Sequence, residues 1–221
     1  LLTLAASVSA GTDPATVPAW AEAVLVGALG AMALTMLEAL HSAGTRDDEP
    51  TRRTVSAAPT VDSLTQLPTR VYFEDRLAAA ATKADASASR LALLFIDLDG
   101  FKPVNESLGH ATGDLVLREV AARLKRFARP EDRIAHLGGD EYLLLIGADP
   151  SAEDAAIFTE RLQTSIGEPC RMNGREATVS SSIGIALYPD HGPISALIAN
   201  AEAAMRSAKS GGGAGYAFFE Q

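Results

Sequence analysis

Ile134-Ala135-His136-Leu137-Gly138-Gly139-Asp140-Glu141-Tyr142-Leu143-Leu144-Leu145-Ile146 is the stretch on which the fold turns. Two apolar runs of strand length enclose two glycines and two adjacent acids. Glycine lets a backbone turn sharply and lets a ligand approach it closely, so the stretch predicts a hairpin with carboxylates at its tip. Adjacent carboxylates repel unless a cation lies between them, and a hard metal ion suits them.

Outward from the hairpin, helix and strand patterns alternate. Residues 91–96 form a continuous apolar run, suited to a buried central strand. Residues 110–128 carry Leu117, Val120, Ala121, Leu124 and Phe127 at helical spacing. Residues 151–166 predict a helix opened by a Ser151–Asp154 capping box and stopped by Gly167. Helices are also predicted over 72–82 and 194–209. Asn173-Gly174 signals a hairpin turn. A single strand is predicted over 176–188, with Val179, Ile183, Ile185 and Leu187 on one face, and a short strand over 216–219. Helices on a mixed sheet make an α/β (α+β) sandwich.

The chain has 221 residues, room for one domain of about 150 residues and further segments. Its net charge of −9 excludes a broad nucleic-acid-binding face but not a small phosphate pocket. The single cysteine, Cys170, excludes an internal disulfide and a cysteine zinc site. The chain begins with Leu1, which is expected of a fragment or a processed product.

Residues 1–41 are expected to hold membrane-spanning sequence. An uncharged run covers residues 23–37, with Trp20 before it and small residues such as Gly27 and Gly30 within it. An amphipathic helix of a soluble protein is the alternative. Arg46, Arg52 and Arg53 follow, placing the rest of the chain in the cytoplasm and the whole at the inner (cytoplasmic) membrane. Residues 42–60 have the mixed composition of a linker. The domain is expected over 61–221.

Asp97 directly follows the 91–96 run, and ligand sites in open sheets gather at the carboxyl ends of strands. If that strand neighbours the hairpin, Asp97, Asp140 and Glu141 converge. Mg²⁺ fits such a set, because it takes one or two carboxylates and completes its shell with water and phosphate oxygens. The alternative is that Asp99 and Glu141 are solvated turn residues. No G-x-x-x-x-G-K-[ST] or H-E-x-x-H stretch occurs. Gly211-Gly212-Gly213 reads as a flexible loop.

Several ordered motifs together resemble the GGDEF domain of diguanylate cyclases. Asp62-Ser63-Leu64-Thr65-Gln66-Leu67-Pro68-Thr69-Arg70 is similar to the family's D-x-L-T-x-L-P-N-R. Phe95-Ile96-Asp97-Leu98-Asp99-Gly100-Phe101-Lys102 is similar to F-I-D-L-D-x-F-K. Asn105, Gly109-His110-Ala111-Thr112-Gly113-Asp114 and Ser182-Ile183-Gly184-Ile185-Ala186 follow in order.

The resemblance implies a palm-like fold with a five-stranded core sheet flanked by helices. It implies condensation of two GTP into cyclic di-GMP and pyrophosphate by an antiparallel homodimer with Mg²⁺ or Mn²⁺. By position, Asp97, the Leu98 carbonyl, Asp140 and Glu141 would hold metal. Asp140, Glu141 and Lys102 are the catalytic candidates, with Glu141 also able to take the 3′-hydroxyl proton. Asn105 and Asp114 would read guanine. Gly100, Phe101, Lys102 and Lys209 would contact phosphates. Arg129 and Asp132, spaced R-x-x-D, resemble the family's inhibitory site for cyclic di-GMP.

Departures accompany the match. His136 stands where the family has arginine, and Gly213 where its G-R-N has arginine. Both are expected to remove a cation near the triphosphate. Glu202 and Arg206 replace the common Asp and Tyr of the last helix. The two ends of the chain also resemble MHYT–GGDEF–EAL membrane signalling proteins, implying an adjoining EAL phosphodiesterase domain. The alternative function is then a weak cyclase domain that binds GTP or cyclic di-GMP and regulates that neighbour.

Overall fold

The computed structural model describes residues 60–172 and 175–220. The apolar segment over 1–41, the linker up to residue 59 and the Asn173-Gly174 turn lie outside the described residues. Among the described residues no helix is long and apolar enough to cross a membrane.

The described elements run α1 (Arg70–Ser87), β1 (Leu91–Asp99), α2 (Phe101–Leu108), α3 (His110–Phe127), β2 (Arg133–Gly138), β3 (Glu141–Ile146), α4 (Ala152–Ile166), β4 (Cys170–Met172), β5 (Arg175–Ala177), β6 (Ser180–Tyr188), α5 (Ile194–Ser210) and β7 (Tyr216–Phe218). Five strands form one mixed sheet in the order β2-β3-β1-β6-β7, as the resemblance implies. β1 lies at its centre, antiparallel to both β3 and β6, and β7 runs parallel to β6.

The central strand explains the unbroken apolar run: β1 is buried from Leu91 to Leu98, because helices cover both faces. Its side chains alternate between two cores. Ala92, Leu94, Ile96 and Leu98 pack with Val116, Val120 and Leu124 of α3 and with Leu162 of α4. Leu91, Leu93 and Phe95 pack with Phe73 and Leu77 of α1 and with Leu197, Ala201 and Met205 of α5. Asp97 and Asp99 continue the second set, so they point to the face that α5 covers.

Gly184 makes the approach of α5 possible. A Cβ on Gly184 would meet the Ala201 carbonyl at 1.9 Å and the Met205 nitrogen at 2.2 Å. α4 opens with the expected capping box: Asp154 N–H donates to Ser151 Oγ at 3.0 Å, and Ser151 N–H donates to Asp154 Oδ2 at 3.0 Å.

Two expectations need correction. The 176–188 stretch is two strands, because β5 ends at Ala177 and pairs with β4, whereas β6 starts at Ser180 in the main sheet. β6 is also buried on both faces from Ser181 to Leu187, since it too is an inner strand. The helix α2 had no sequence expectation; it is eight residues long and carries Pro103 in its first turn, where proline is tolerated.

Candidate active site

β1 and β3 end together. Asp97 faces Glu141 across the antiparallel pair, and the next residue, Leu98, donates its N–H to the Asp140 carbonyl at 3.1 Å. The hairpin tip is built by glycine: Gly138 and Gly139 have φ of 109° and 60°, in the left-handed region. Glu141 is the first residue of β3 and is half-buried, so it is not a solvated turn residue.

Lys209, one residue from the end of α5, brings Nζ to 2.5 Å from Asp97 Oδ1. That oxygen is shielded from solvent and has no aligned hydrogen-bond donor, so the lysine holds it by charge. Burial pushes the Asp97 carboxyl above its usual range; Lys209 pulls it back, and Asp140 and Asp99 push it further up. Glu141 is raised by burial first, then by the charges of Asp97 and Asp140. Burial works against the charge on Lys209, but the contact with Asp97 outweighs it and the ammonium is held above its usual range.

The other carboxylate of β1 is not solvated either. Asp99 accepts from Ser182 Oγ at 2.9 and 3.0 Å, from Ser180 Oγ at 3.4 Å and from the Ala214 N–H at 3.0 Å. The glycine loop after α5 is therefore anchored on β1, against the expectation of a free loop. Gly213 lies beside Asp99 and carries no side chain that could reach a phosphate.

Gly100, with φ of 80°, turns the chain from β1 into α2, and Phe101 opens the helix. Asn105 of α2 and Asp114, the fifth residue of α3, lie on two helices joined at Gly109. Gly113 leaves room for Asn105: a Cβ there would lie 1.9 Å from Asn105 Oδ1. Lys102 points into solvent, 3.8 Å from Glu106, and is not brought to the carboxylates.

His136 is bonded within and beside the hairpin. It pairs with Tyr142 across β2 and β3, on the α3 face of the sheet, opposite to Asp97 and Glu141. Its Nε2 lies 3.1 Å from the Gly139 carbonyl and its Nδ1 lies 3.0 Å from Asp62 Oδ1. Asp62 also accepts from the Thr65 N–H at 2.8 Å and the Thr65 hydroxyl at 2.6 Å. Burial would raise the Asp62 carboxyl, but these bonds and His136 hold it below its usual range.

Asp97, Asp140, Glu141 and Lys209 thus meet at one end of the sheet. Among the described residues no three or more His, Cys, Asp or Glu side chains are grouped so as to hold a metal ion by themselves. The donor set still fits Mg²⁺, which needs only one or two carboxylates and keeps several waters. Mutual repulsion at Asp97 and Glu141 is the electrostatic state that a dication relieves.

Arg129 and Asp132 lie apart from these carboxylates, at the other end of β2. Asp132 is buried and locks the turn, accepting from the Arg129 N–H at 2.9 Å and the Gly147 N–H at 3.1 Å. Arg129 lines a cleft of about 420 Å³ with Arg126, Phe127, Phe158 and Arg161. Arg161 carries no signal in the linear chain, because only the packing of α4 on α3 brings it to Arg129. Phe127 and Phe158 meet edge to face there, with centroids 6.0 Å apart.

Residues 59–214 match the family described as diguanylate cyclase, GGDEF domain. The chain is 49% identical over 160 residues to the bifunctional diguanylate cyclase/cyclic di-GMP phosphodiesterase MucR of Pseudomonas aeruginosa, covering 72% of this chain and 23% of that protein. It is 43% identical over 150 residues to the diguanylate cyclase TpbB of the same species, covering 67% of this chain and 34% of that protein. It therefore spans about a quarter to a third of the length of these curated relatives. The structure resembles the GGDEF domain of PA1120 (TpbB or YfiN) from Pseudomonas aeruginosa, with a TM-score of 0.70 and 41% identity over 72% of this chain and 94% of that one. The GGDEF domain of DgcB from Caulobacter crescentus, solved in complex with c-di-GMP, matches with a TM-score of 0.68 and 28% identity, over 74% of this chain and 97% of that one.

Proposed function

The chain belongs to the diguanylate cyclase GGDEF domain family, and from that membership we propose that it condenses two GTP into cyclic di-GMP and pyrophosphate as a homodimer, one GTP on each copy. The observation that carries this reading is the meeting of Asp97, Glu141 and Lys209 where β1, β3 and α5 end. Asn105 and Asp114 supply an amide and a carboxylate for the edge of guanine. Lys209 supplies a cation, and the turn at Gly100 and Phe101 supplies backbone N–H groups, for the phosphates.

In the reaction, a 3′-hydroxyl oxygen bonds to the α-phosphorus of the GTP on the other copy. The bond from that phosphorus to the bridging β-phosphate oxygen breaks, and pyrophosphate leaves. Where it is not a metal ligand, Glu141 would take the hydroxyl proton, because a carboxyl raised by burial is a better proton acceptor near neutrality than a solvated one. Asp97, Asp140 and Glu141, with the Leu98 carbonyl, would hold Mg²⁺. A bound dication would neutralise charge on the phosphates and lower the pKa of the hydroxyl.

The absence of a side chain at Gly213 supports a second reading. In it the domain binds GTP or cyclic di-GMP weakly turned over or not at all, and regulates an adjoining EAL domain; MucR is by name a phosphodiesterase too. One assay separates the two. The full chain is incubated with GTP and Mg²⁺ beside an Asp140→Ala control, and cyclic di-GMP is measured by mass spectrometry. Product from the wild type alone supports the cyclase; silence in both with GTP binding retained supports the regulatory reading.

The arginine cleft supports product feedback as part of the same proposal. Three guanidinium groups and two aromatic rings around one cleft suit a ligand with phosphates and purine faces. A membrane location, with this domain in the cytoplasm, completes the proposal. Its support is the apolar composition of residues 23–37, and fractionation of cells expressing the chain tests it.

A further inference from the structure

Asp99 is the acidic residue that the proposed chemistry does not use, yet it is the more heavily bonded carboxylate of β1. Two hydroxyls of the neighbouring strand β6 hold it. Ser182, opposite Asp97, and Ser180, opposite Asp99, both turn to the Asp99 oxygens. Ser182 is fully buried, so its hydroxyl has no water to turn to. The carboxylate is thereby fixed in one orientation, with a lone pair left for the Ala214 N–H at 3.0 Å.

That last bond adds a side chain to a segment otherwise held by backbone bonds: the Gly212 N–H donates to the Lys209 carbonyl at 3.1 Å, the Gly213 N–H to the Ala208 carbonyl at 3.3 Å, and the Ile183 N–H of β6 to the Gly215 carbonyl at 3.0 Å. Gly212, Gly213 and Ala214 have φ of 120°, 73° and 52°. Consecutive glycines lose much freedom on ordering, and alanine in the left-handed region is strained. Ala214 stands five residues after Lys209, whose ammonium lies on Asp97, two residues before Asp99 on the same face of β1. Asp97 and Asp99 therefore grip both sides of one short segment, the side chain of Lys209 before the turn and the backbone of Ala214 after it.

We infer that Asp99 is a positioning residue: by holding Ala214 it fixes the glycine loop and the end of α5, and so the place of the Lys209 ammonium at the nucleotide. The inference rests on the reading of Lys209 as a phosphate contact. Where the family carries an arginine this chain has Gly213, so no side chain of the loop shares the task, and Asp99 is the side chain that joins the backbone bonds in holding it.

The test has two arms on the full chain. In the first, hydrogen exchange is followed over residues 208–216 in the wild type and in Asp99→Asn. The segment is expected to exchange about tenfold faster in the variant, with the β1 and β3 amides unchanged. In the second, KM and kcat for GTP are measured for Asp99→Asn in the wild-type and Lys209→Ala backgrounds. KM is expected to rise about tenfold in the first background and less than about twofold in the second, because the effect passes through Lys209.

Unchanged exchange over 208–216 would overturn the inference, as would an equal rise of KM in both backgrounds. A wild-type chain that neither binds nor converts GTP would instead sink the nucleotide reading, and the exchange arm would still decide whether Asp99 anchors the loop. Should Asp99→Asn not fold, Ser182→Ala releases the carboxylate from β6 and is expected to change both readouts in the same direction, by less.

Discussion

Lys209 and Asp97 meet with their charged atoms 2.5 Å apart, one near the last turn of α5 and the other at the end of β1. The lysine is the only cation on Asp97 among the described ion pairs, while Asp140 and Asp99 repel it. Lys209→Met should lower GTP turnover about tenfold or more, the scale of a lost bond between charged groups. It should also change the pH dependence of stability. Lys209 helps only an ionised Asp97, so thermal unfolding of variant and wild type should coincide in acid and diverge as pH rises through the raised Asp97 value.

Glu141→Gln should be more stable than the wild type and inactive. The Glu141 carboxyl is raised, so ionising it opposes folding; the opposition is absent below its unfolded value and complete above its folded one. The gain in melting temperature should therefore be present at pH 8 and vanish in acid. Mg²⁺ should raise the melting temperature of the wild type more than that of the variant. A variant less stable than wild type at pH 8 would contradict this account.

Gly113→Ala should damage guanine recognition and spare the sheet. The added methyl would take the place of Asn105 Oδ1, so the amide must turn away. Discrimination of GTP over ATP, measured as a ratio of binding constants, should fall by about tenfold, the value of roughly one hydrogen bond to a charged or polar edge. An unchanged ratio would remove Asn105 from the guanine site.

His136→Ala should loosen the hairpin tip, because it leaves the Gly139 carbonyl and Asp62 without their shared partner. A loss of about 1–3 kcal/mol in stability is expected, with kcat reduced more than GTP binding. His136→Arg should restore part of both. Asp62→Asn should be destabilised at neutral pH. The Asp62 carboxyl is held low, so its contribution is present above the usual carboxylate range and lost as pH falls through its folded value; the variant and wild type should converge in strong acid.

Arg161→Ala should weaken binding of cyclic di-GMP and relieve product inhibition, as Arg129→Ala should, with initial velocities unchanged. Both arginines line the same cleft and neither is near Asp97 or Glu141 in the sheet. Isothermal titration with cyclic di-GMP measures the first effect and progress curves the second. Inhibition that persists in both variants would dissociate the cleft from the product.

Much of this domain was legible in the linear chain because its signals are local. The 91–96 run, the α3 periodicity and the Ser151–Asp154 box each depend on residues a few positions apart, and each corresponds to an element. The strand break before Ser180 was not legible, since it depends on β5 pairing with β4 instead of continuing into the main sheet. The face of His136 is hidden from the linear chain for a related reason. Counting from the glycines gives its position, but only its register opposite Tyr142 gives its face.

That two acids crown a tight turn, that a third ends a buried strand and that the motifs between them follow the order of one family are all written in the linear chain. Covalent order and backbone preference suffice for that. Only the tertiary structure decided that Lys209 neutralises Asp97, that Asp99 holds Ala214 and that Arg161 joins Arg129. Those partners are far apart along the chain. They meet because alternation along β1 selects a face, and because Gly184 lets α5 settle against that face closely enough for charge and hydrogen bond to act.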